Sequence, residues 1–519
     1  MLNIISIIIA SVTVLFSLTR QLHMLQQNSY YNSRYISWAK ENFGFKAVFA
    51  VLLLVASCSF ITIDWLIFAS IAVVSVCKIS HTFIYQKKAI KPIVFTSRVK
   101  RMYVTAFIIL AAICACYFIF DGTKIAMLAT VLVLFYFPGV MAVAVNIINA
   151  PAEIAVKQWY INDAKKKLRS FGNMKIIGIT GSYGKTSTKH ILARLLEEKY
   201  NVCFTPGSFN TPMGVVRTIR EYMKPQTEIF VCEMGAKNVG DIKEICKIVH
   251  PDMGIITSVG PQHLNTFKSI ENIIKTKFEL ADSVKEKGGK IYLSNDNVYI
   301  KGKSGSYDSV MYGTADGSEF KAENISCGPN GTKFDVVFGD EKISLSTKLL
   351  GMHNVINITG AVAIAVGLGV STRDVVFAVS KLEQTEHRLQ LKPFIKGATL
   401  IDDAYNANPE GCMEAVRVLG SFDGMKKVIV TPGLVELGEK EYECNYNLGL
   451  ECTKHCDEII LVGKERSKPM MDAIATTDFD KAHVHCVASF KDAMALMQNM
   501  LDSNCAVLFE NDLPDNYAK

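Results

Sequence analysis

Paired CxxC cysteines and mixed basic and aromatic tracts, the usual marks of zinc modules and nucleic-acid-binding proteins, are both missing from this 519-residue sequence. Its 14 cysteines are scattered, and the one cluster consists of Cys444, Cys452, His455 and Cys456. Reduced cysteines of a cytoplasmic protein explain this cluster better than a zinc site does. No nucleic-acid partner is expected. Short internal repeats and low-complexity tracts are missing as well.

Acidic residues are scarce in the first third of the chain. Residues 1–172 hold 17 Lys/Arg against 5 Asp/Glu, whereas the remainder holds 39 against 44. The basic excess therefore belongs to the apolar N-terminal part, where it indicates lipid headgroups and membrane orientation rather than nucleic acid. The mean hydropathy of +0.22 is high for a purely soluble protein.

Long apolar runs fill the N-terminal part, and most are close to the length that crosses a hydrocarbon core. We predict five spans, at about 2–18, 47–63, 65–85, 102–120 and 125–148. Lys78 lies inside the third of them and would have to snorkel. The first lacks a basic n-region and a clear cleavage site, so it is interpreted as an anchor rather than a signal peptide. Basic loops at 19–46 and 86–101 orient the N-terminus outside and the rest of the chain in the cytoplasm.

The predicted organisation has four parts: a membrane domain, a basic linker helix and two α/β domains. The linker helix either lies against anionic headgroups or is simply solvated. The central α/β domain has a parallel sheet with a β-rich insert near 298–350, and the C-terminal one is a Rossmann-like doubly wound sheet. The predicted bounds are 1–150, 151–172, 173–384 and 385–519.

A glycine loop between a buried strand and a helix carries the first functional signal, in "IIGITGSYGKTSTKHIL". Gly181 and Gly184 let backbone N–H groups approach a phosphate, Lys185 can reach the β/γ-phosphates, and the Thr186 hydroxyl can bind Mg²⁺. The segment lacks the first glycine of the general GxxxxGK[ST] pattern, but its strand–loop–helix context predicts a nucleotide site.

Two further polar side chains end buried strands. Glu233 closes "IFVCEMGA", and His263 follows "MGIITSVGPQ". Ligands bind at the carboxyl ends of strands in open α/β sheets, so both can converge with Lys185 as metal ligands. Taken singly, each is equally well explained as an exposed loop residue.

Eight segments, in this order, resemble the Mur ligases, the ATP-dependent enzymes that add amino acids to peptidoglycan precursors: "GITGSYGKTS", "TPGSFNTPMGV", "CEMGA", "TSVGPQHL", "SIENIIKTKFEL", "GMHNVINITGAVAIAVGLGV", "HRLQ" and "IDDAYNANPEG". The resemblance covers about 173–450. Its "YNANP" element points to the branch that adds D-alanyl-D-alanine to a UDP-N-acetylmuramoyl-tripeptide.

The resemblance implies a role for each matching residue. The implied ATP contacts are Gly181, Ser182, Gly184, Lys185, Thr186, Ser187, Asn295, His353, Asn354, Asn357, Arg388 and Asp403. One Mg²⁺ would bind Thr186 and Glu233, and a second would be supported by His263 and by Lys277 as a carbamate. Lys185, Lys277 and His263 are thus the implied catalytic residues. The implied substrate contacts are Asn210, Thr211, Tyr405, Asn406 and Asn408.

The implied chemistry has two steps. A substrate carboxylate attacks the γ-phosphate of ATP, and an amine then displaces phosphate from the acyl phosphate. Lys185 and the two Mg²⁺ ions would offset the charge of the transferring group.

Three departures from the family shape the functional prediction. Apolar spans occupy the place of the family's UDP-recognising domain, so we expect an acceptor held at the membrane, such as a lipid-linked envelope precursor, or else spans that only anchor. The adenine-side element is altered around Asn295. The basic C-terminal "KGS"-like segment is replaced by "VLFENDLPDNYAK", whose Glu510, Asp512 and Asp515 either form a solvated tail or bind an amine-bearing substrate.

The leading hypothesis is a membrane-bound Mur-type ligase that joins an amino acid or dipeptide to a carboxylate-bearing envelope precursor. Ordinary D-alanyl-D-alanine addition to a UDP-linked tripeptide, a polyamino-acid synthetase and a membrane scaffold with a non-catalytic ATPase core are the alternatives. The scaffold is disfavoured by the intact set of Lys185, Glu233, His263, Lys277, Arg388 and Asp403.

Overall fold

The computed structural model describes residues 2–42, 64–88, 92–120, 124–262, 264–384, 388–404, 409–435, 437 and 440–511. It divides into two compact units, Met1–Tyr160 and Ile161–Lys519. The predicted second span, 47–63, lies outside the described residues.

The first unit is helical. Its helices are α1 (Leu2–Gln27), α2 (32–42), α3 (Asp64–Lys88), α4 (Ser97–Ile119), α5 (Lys124–Tyr136) and α6 (Pro138–Arg169), of which the last continues beyond the unit. One face of α1 forms the centre of the bundle, because apolar residues recur along it every three or four positions. These buried residues are Ile7, Ala10, Val14, Leu18, Leu22 and Leu25.

Four of the described helices are long and apolar enough to cross a membrane: α1, α3, α4 and α6. The predicted fifth span is wrong as a single helix, because it breaks at Pro138 into the 13-residue α5 and the 32-residue α6. Proline lacks an N–H group and disfavours helical geometry in the residue before it, here Phe137. Helix α6 then runs through Pro151, where the sequence predicted the start of a separate linker helix.

Lys78 does not need to snorkel along α3. Its ammonium donates a hydrogen bond to the Phe135 carbonyl and lies over the rings of Phe135 and Tyr136. The last carbonyls of a helix have no intrahelical donor, so a lysine from a neighbouring helix can satisfy one of them. Lys78 therefore stabilises the point at which α5 ends.

The middle α/β domain is built on a nine-stranded sheet of order β2-β3-β1-β4-β5-β6-β7-β8-β9. Pairing is parallel from β2 to β7 and antiparallel from β7 to β9, which form the predicted β-rich insert. The strands are β1 (Lys175–Thr180), β2 (Val202–Phe204), β3 (Ile229–Glu233), β4 (Met253–Ile256), β5 (Ile291–Ser294), β6 (Ser309–Gly313), β7 (Phe320–Gly328), β8 (Gly331–Phe338) and β9 (Glu341–Thr347).

The middle-domain helices cover this sheet. They are α7 (Lys185–Leu196), α8 (Pro212–Glu221), α9 (Asp241–Val249), α10 (Leu264–Phe267), α11 (Ile270–Glu286), α12 (Val298–Lys301), α13 (Met352–Gly367) and α14 (Thr372–Ser380). The buried strand β1 leads directly to the glycine loop and α7, so this loop lies at the carboxyl edge of the parallel sheet, as predicted.

The C-terminal domain has a six-stranded sheet of order β10-β11-β15-β12-β13-β14, parallel except for β10. Its strands are β10 (Gln390–Pro393), β11 (Thr399–Asp403), β12 (Lys426–Thr431), β13 (Glu458–Val462), β14 (Val484–Val487) and β15 (Cys505–Glu510). Its helices are α15 (Pro409–Gly420), α16 (Glu441–His455), α17 (Lys468–Ile474) and α18 (Phe490–Met500). The predicted fold class, a helical N-terminal region followed by two α/β domains, is confirmed.

Cys452 and Cys456 are buried in the core of this C-terminal domain, and Cys444 packs against the same core. They lie on and just after α16, so their spacing reflects the apolar face of a helix.

Candidate functional site

Two glycines set the path of the loop between β1 and α7. A Cβ on Gly181 would lie 2.1 Å from Thr257 Oγ1, and Gly184 has a φ of 79° at the position before α7 begins. A Cβ on Gly184 would also lie 2.8 Å from Asn357 Oδ1. Both positions require glycine because the loop packs directly against neighbouring segments. The N-terminal N–H groups of α7 therefore face the loop without obstruction by side chains at these positions.

The segment after β4 holds this loop in place by hydrogen bonds. The N–H groups of Ser182 and Tyr183 donate to Ser258 O (2.7 Å) and Ser258 Oγ (2.9 Å), and Thr257 Oγ1 donates to Tyr183 O (2.6 Å). Sequence reasoning missed Thr257 and Ser258. The signal was available, because "TSVG" follows a strand that ends at the same sheet edge.

Lys185 folds over the loop. Its Nζ donates to the carbonyl oxygens of Gly181 (2.8 Å) and Ser182 (2.9 Å). Burial lowers the pKa of Lys185, while the Glu233 carboxylate opposes that shift. The lysine thus supplies a positive charge at the loop, where a phosphate would be recognised.

Glu233, at the end of β3, is the centre of a hydrogen-bond network and is 1% exposed. Thr186 Oγ1 lies 3.2 Å from both of its carboxylate oxygens, and Asn210 Nδ2 donates to Oε1 at 3.0 Å. The structure thus brings together three residues that the sequence analysis assigned to metal and substrate.

Sequence reasoning missed the strongest partner of this carboxylate. Lys189 Nζ lies 3.0 Å from Glu233 Oε2 and donates to Gly207 O at 2.8 Å, with its side chain fully buried. Lys189 is one helical turn after Lys185, so the i, i+4 spacing along α7 was the available signal.

Lys277 lies on α11 and is 2% exposed. Burial lowers its pKa to about 7, and the positive charge of Lys185 adds to this shift. A buried amine that is partly neutral near pH 7 is a nucleophile, unlike a solvated lysine. This environment fits the chemistry of carbamate formation.

The other predicted nucleotide contacts of the middle domain differ in their environments. Asn357 is buried beside Gly184, and its Nδ2 has no hydrogen-bond partner among the described residues. Asn354 Nδ2 donates to Leu350 O, and His353 is exposed. Asn295 Nδ2 bonds to Asp316 O and Ser318 Oγ, both at 3.1 Å, and so holds a turn of its own domain. Its nucleotide role stays a prediction.

In the C-terminal domain, Asp403 ends β11 and its Oδ1 accepts the Leu389 N–H at 3.0 Å. Burial raises the pKa of Asp403, and the Leu389 N–H and the Arg388 charge oppose this shift. Arg388 itself is exposed. Asp403 and Arg388 thus lie close enough to act on one ligand.

Helix α15 connects this domain to the middle domain. The Met352 N–H donates to Glu414 Oε1 at 3.0 Å, at the start of α13. Burial raises the pKa of Tyr183, and the negative charge of Glu410 adds to the shift. Glu410, in the first turn of α15, thus lies close enough to the phosphate loop for its charge to act on Tyr183.

The remaining predicted site residues are six. His263, Tyr405, Asn406 and Asn408 lie outside the described residues. Thr211 caps α8 by accepting the Gly214 N–H at 3.3 Å. Ser187 follows Thr186 in the first turn of α7 and is half-buried.

The donors fit a nucleotide with Mg²⁺ better than a metal held by protein alone. Within the described ranges, no group of three or more His, Cys, Asp or Glu side chains forms a metal site. Mg²⁺ usually binds one or two protein oxygens together with waters and phosphate oxygens. Thr186 and Glu233 provide such a pair, and the unpartnered Asn357 amide beside Gly184 is available to a bound group.

Comparison with known proteins agrees with this geometry. The profile of the "Mur ligase middle domain" matches residues 179–365, and that of the "Mur ligase, glutamate ligase domain" matches residues 387–510. The chain therefore belongs to the Mur ligase family, and it is an ATP-dependent ligase that forms C–N bonds.

Its relatives include the UDP-N-acetylmuramoyl-tripeptide–D-alanyl-D-alanine ligase of Bacillus subtilis, 30% identical over 67% of this chain and 75% of the relative. The enzyme of the same name from Escherichia coli is 27% identical over 62% and 73%. Among solved structures, the MurF ligase of Thermotoga maritima in complex with ADP is 27% identical, with a TM-score of 0.58 over 69% of this chain and 80% of that one. The predicted resemblance to the D-alanyl-D-alanine-adding branch is confirmed.

Proposed function

We propose that this protein activates a carboxylate of a cell-envelope precursor as an acyl phosphate and joins it to an amino acid or dipeptide at the cytoplasmic face of a membrane. The observation that carries the proposal is the constellation of Lys185, Thr186 and Glu233 at one sheet edge, in a chain whose described residues before Ile161 lie mostly in apolar helices.

In this proposal the loop binds the ATP phosphates. Its N–H groups and Lys185 contact the β- and γ-phosphates, while Asn357 donates its free amide hydrogens to the nucleotide. Asp403 and Arg388 hold the ribose and phosphates from the C-terminal domain. Two domains that close on ATP exclude water and align the acceptor carboxylate for attack on the γ-phosphate.

Metal binding in this proposal uses Thr186 and Glu233 for one Mg²⁺, and His263 with carbamylated Lys277 for a second. When bound, the ions offset negative charge on the transferring phosphoryl group. Asn210 contributes to both metal binding and substrate binding in this proposal. Its amide donates to Glu233, and its segment follows β2 at the same sheet edge. Asn210 and Thr211, with Tyr405, Asn406 and Asn408, then orient the acceptor and the incoming amine.

Membrane attachment is supported by the four long apolar helices and by their outward-facing side chains. On α4, for example, Val104, Phe107 and Ile108 are more than half exposed, a distribution that suits lipid rather than water. An acceptor held in the same membrane would be concentrated near the site without a dedicated soluble recognition domain.

A direct test uses full-length protein in detergent with ATP and Mg²⁺. We expect ADP release to require both an acceptor and an amine, with acceptors drawn from UDP-muramoyl tripeptide and an envelope-lipid extract. Mass spectrometry of the product identifies the new amide. Lys185→Ala is the blank, and ADP release that needs neither acceptor nor amine would contradict ligase activity.

A second candidate is D-alanyl-D-alanine addition to a UDP-linked tripeptide, with the helices as an anchor only. The 30% identity to the Bacillus subtilis enzyme of that name favours it. Product formation from the UDP-linked tripeptide and D-alanyl-D-alanine alone would select this candidate.

A further inference from the structure

Glu510 is the last residue of β15 and is fully buried, so it is not part of a solvated acidic tail as one reading of the sequence suggested. Asp512 and Asp515 lie outside the described residues. Strand β15 pairs in parallel with β11, and the register places Glu510 beside Asp403. Two carboxyl groups thus end neighbouring strands at the edge of the sheet where the proposed nucleotide contacts lie.

The two oxygens of the Glu510 carboxyl group differ in their hydrogen-bond partners. Oε1 accepts a hydrogen bond from Cys412 Sγ on α15 at 2.7 Å. Oε2 is buried and has no donor among the described residues. A buried carboxylate without a donor or cation is costly, and protonation removes the cost by turning that oxygen into a donor. Asp403, the neighbouring carboxylate, is the acceptor that lies within reach.

We propose that Glu510 acts as a neutral carboxylic acid that keeps its proton and donates an O–H hydrogen bond to the Asp403 carboxylate, and so positions Asp403 for the nucleotide. Glu510 is a positioning residue in this account, since it touches no substrate. The inference rests on the proposed nucleotide role of Asp403.

Surrounding charges agree with this assignment. Burial, with the negative charge of Asp403 adding to it, raises the pKa of Glu510 well above its usual range. Among the described residues, the other titratable groups that face Glu510 are the thiols of Cys412 and Cys452, whose pKa values are themselves raised. Arg388 acts on the Asp403 side of the pair and helps to keep that carboxylate ionised.

The pair has a structural consequence for the site. Asp403 Oδ1 also accepts the Leu389 N–H, so its carboxylate joins β11, β15 and the turn that carries Arg388. Loss of the Glu510 donor would leave Asp403 free to turn toward solvent. Both proposed C-terminal contacts of the nucleotide would then weaken together.

The test is ADP affinity, measured by titration calorimetry on full-length protein in detergent with Mg²⁺, which needs no acceptor. Glu510→Gln keeps a donor for Asp403 and an acceptor for Cys412, so its affinity should stay near wild type. Glu510→Ala should weaken ADP binding about tenfold, the order expected for a lost hydrogen bond to a charged group. Glu458→Gln is the matched control. Glu458 is also a buried acid of this sheet, but it is the first residue of β13 and so lies at the amino ends of the strands, away from Glu510.

The pH profile separates positioning from simple structural support. As pH rises through the raised pKa of Glu510, the proton is lost and two carboxylates face each other, so wild-type ADP affinity should fall at alkaline pH. Glu510→Gln should remove that part of the fall, whereas the contribution of Lys185 remains in both proteins. Equal losses in Glu510→Gln and Glu510→Ala, or no loss in either, would overturn the proposal. Tight ADP binding without ligation of any acceptor would instead count against the proposed function.

Discussion

Lys189 and Glu233 form a fully buried ion pair beside the phosphate loop, with Nζ 3.0 Å from Oε2 and side chains 0% and 1% exposed. The pair fixes one carboxylate oxygen, while the other accepts the amide of Asn210 and both lie within 3.2 Å of the Thr186 hydroxyl. Glu233 is therefore oriented toward Thr186 before any ligand binds.

Removal of the Lys189 side chain should lower the free energy of unfolding and raise the Mg²⁺ requirement. Lys189→Met leaves the Glu233 charge buried without its cation, which should cost about 3–5 kcal/mol of unfolding free energy. It should also raise the Mg²⁺ concentration needed for half-maximal ADP release, because Glu233 loses its fixed orientation. Thermal denaturation and a Mg²⁺ titration measure the two effects. Lys189→Arg is the conservative control, and a normal Mg²⁺ requirement in a folded Lys189→Met protein would contradict the positioning role.

Lys277 should titrate as a nucleophile rather than as a surface lysine. Because its pKa is lowered to about 7 by burial and by Lys185, the neutral amine predominates above that pH and the ammonium below it. Only the neutral amine reacts with CO₂ to form a carbamate. At limiting bicarbonate, ADP release in the presence of acceptor and amine should therefore fall between pH 8 and pH 6 and recover on addition of bicarbonate.

Substitution provides an independent check on this lysine. Lys277→Ala should lose most activity and regain part of it with formate, which supplies a carboxylate in the space of the missing side chain. Lys275→Ala, an exposed position on the same helix, should behave as wild type. Full activity of Lys277→Ala without formate would exclude the carbamate.

Gly184 should tolerate no side chain. Gly184→Ala forces a φ of 79° on a residue with a Cβ, at a cost of about 1–2 kcal/mol, and brings that Cβ to 2.8 Å from Asn357 Oδ1. We expect ADP affinity to fall by at least tenfold in calorimetric titration. Gly207→Ala is a control for positive φ alone, since nothing lies within 4 Å of its Cβ position. Equal affinity in the Gly184→Ala protein would mean that the loop does not bind phosphate.

The membrane assignment predicts how the full-length protein fractionates. If α1, α3, α4 and α6 span the bilayer, the protein should stay in the membrane pellet after washing with alkaline carbonate and should dissolve only in detergent. A peripheral protein held by basic residues would leave the pellet at high salt, because surface electrostatics are screened. Release by carbonate would therefore contradict spanning.

Local sequence patterns predicted the elements of the site well, whereas contacts between residues far apart in the chain were not predicted. The strand–loop–helix context of Gly184 and Lys185 and the strand ending at Glu233 are readable from neighbouring residues. The pairing of Lys189 with Glu233 depends on how α7 lies on β3. The burial of Glu510 depends on β15 inserting between β11 and β12, although it is the last of the described strands. The sequence alone left two interpretations of Glu510, a solvated tail or a contact to an amine-bearing substrate, and predicted neither its burial nor its pairing with Asp403.

Pro138 shows a second limit of prediction from the sequence, which concerns the membrane spans. Apolar composition is continuous across residues 125–148, so a window of hydropathy predicts one span, whereas the backbone restriction at one proline divides it. The role of Lys78 in ending α5 follows from the same division. Amino-acid composition alone predicts neither the break at Pro138 nor the contact that Lys78 makes there.

The central claim is that the acceptor is presented at the membrane. Its most direct test is phosphate release by detergent-purified, full-length protein with ATP and Mg²⁺, in which UDP-muramoyl tripeptide is compared with extracted envelope lipids. Each acceptor is paired with a panel of amino acids and D-alanyl-D-alanine, with Lys185→Ala as the blank. The account predicts turnover with the lipid fraction only. Turnover with the UDP-linked tripeptide would contradict it and assign the apolar helices to anchoring.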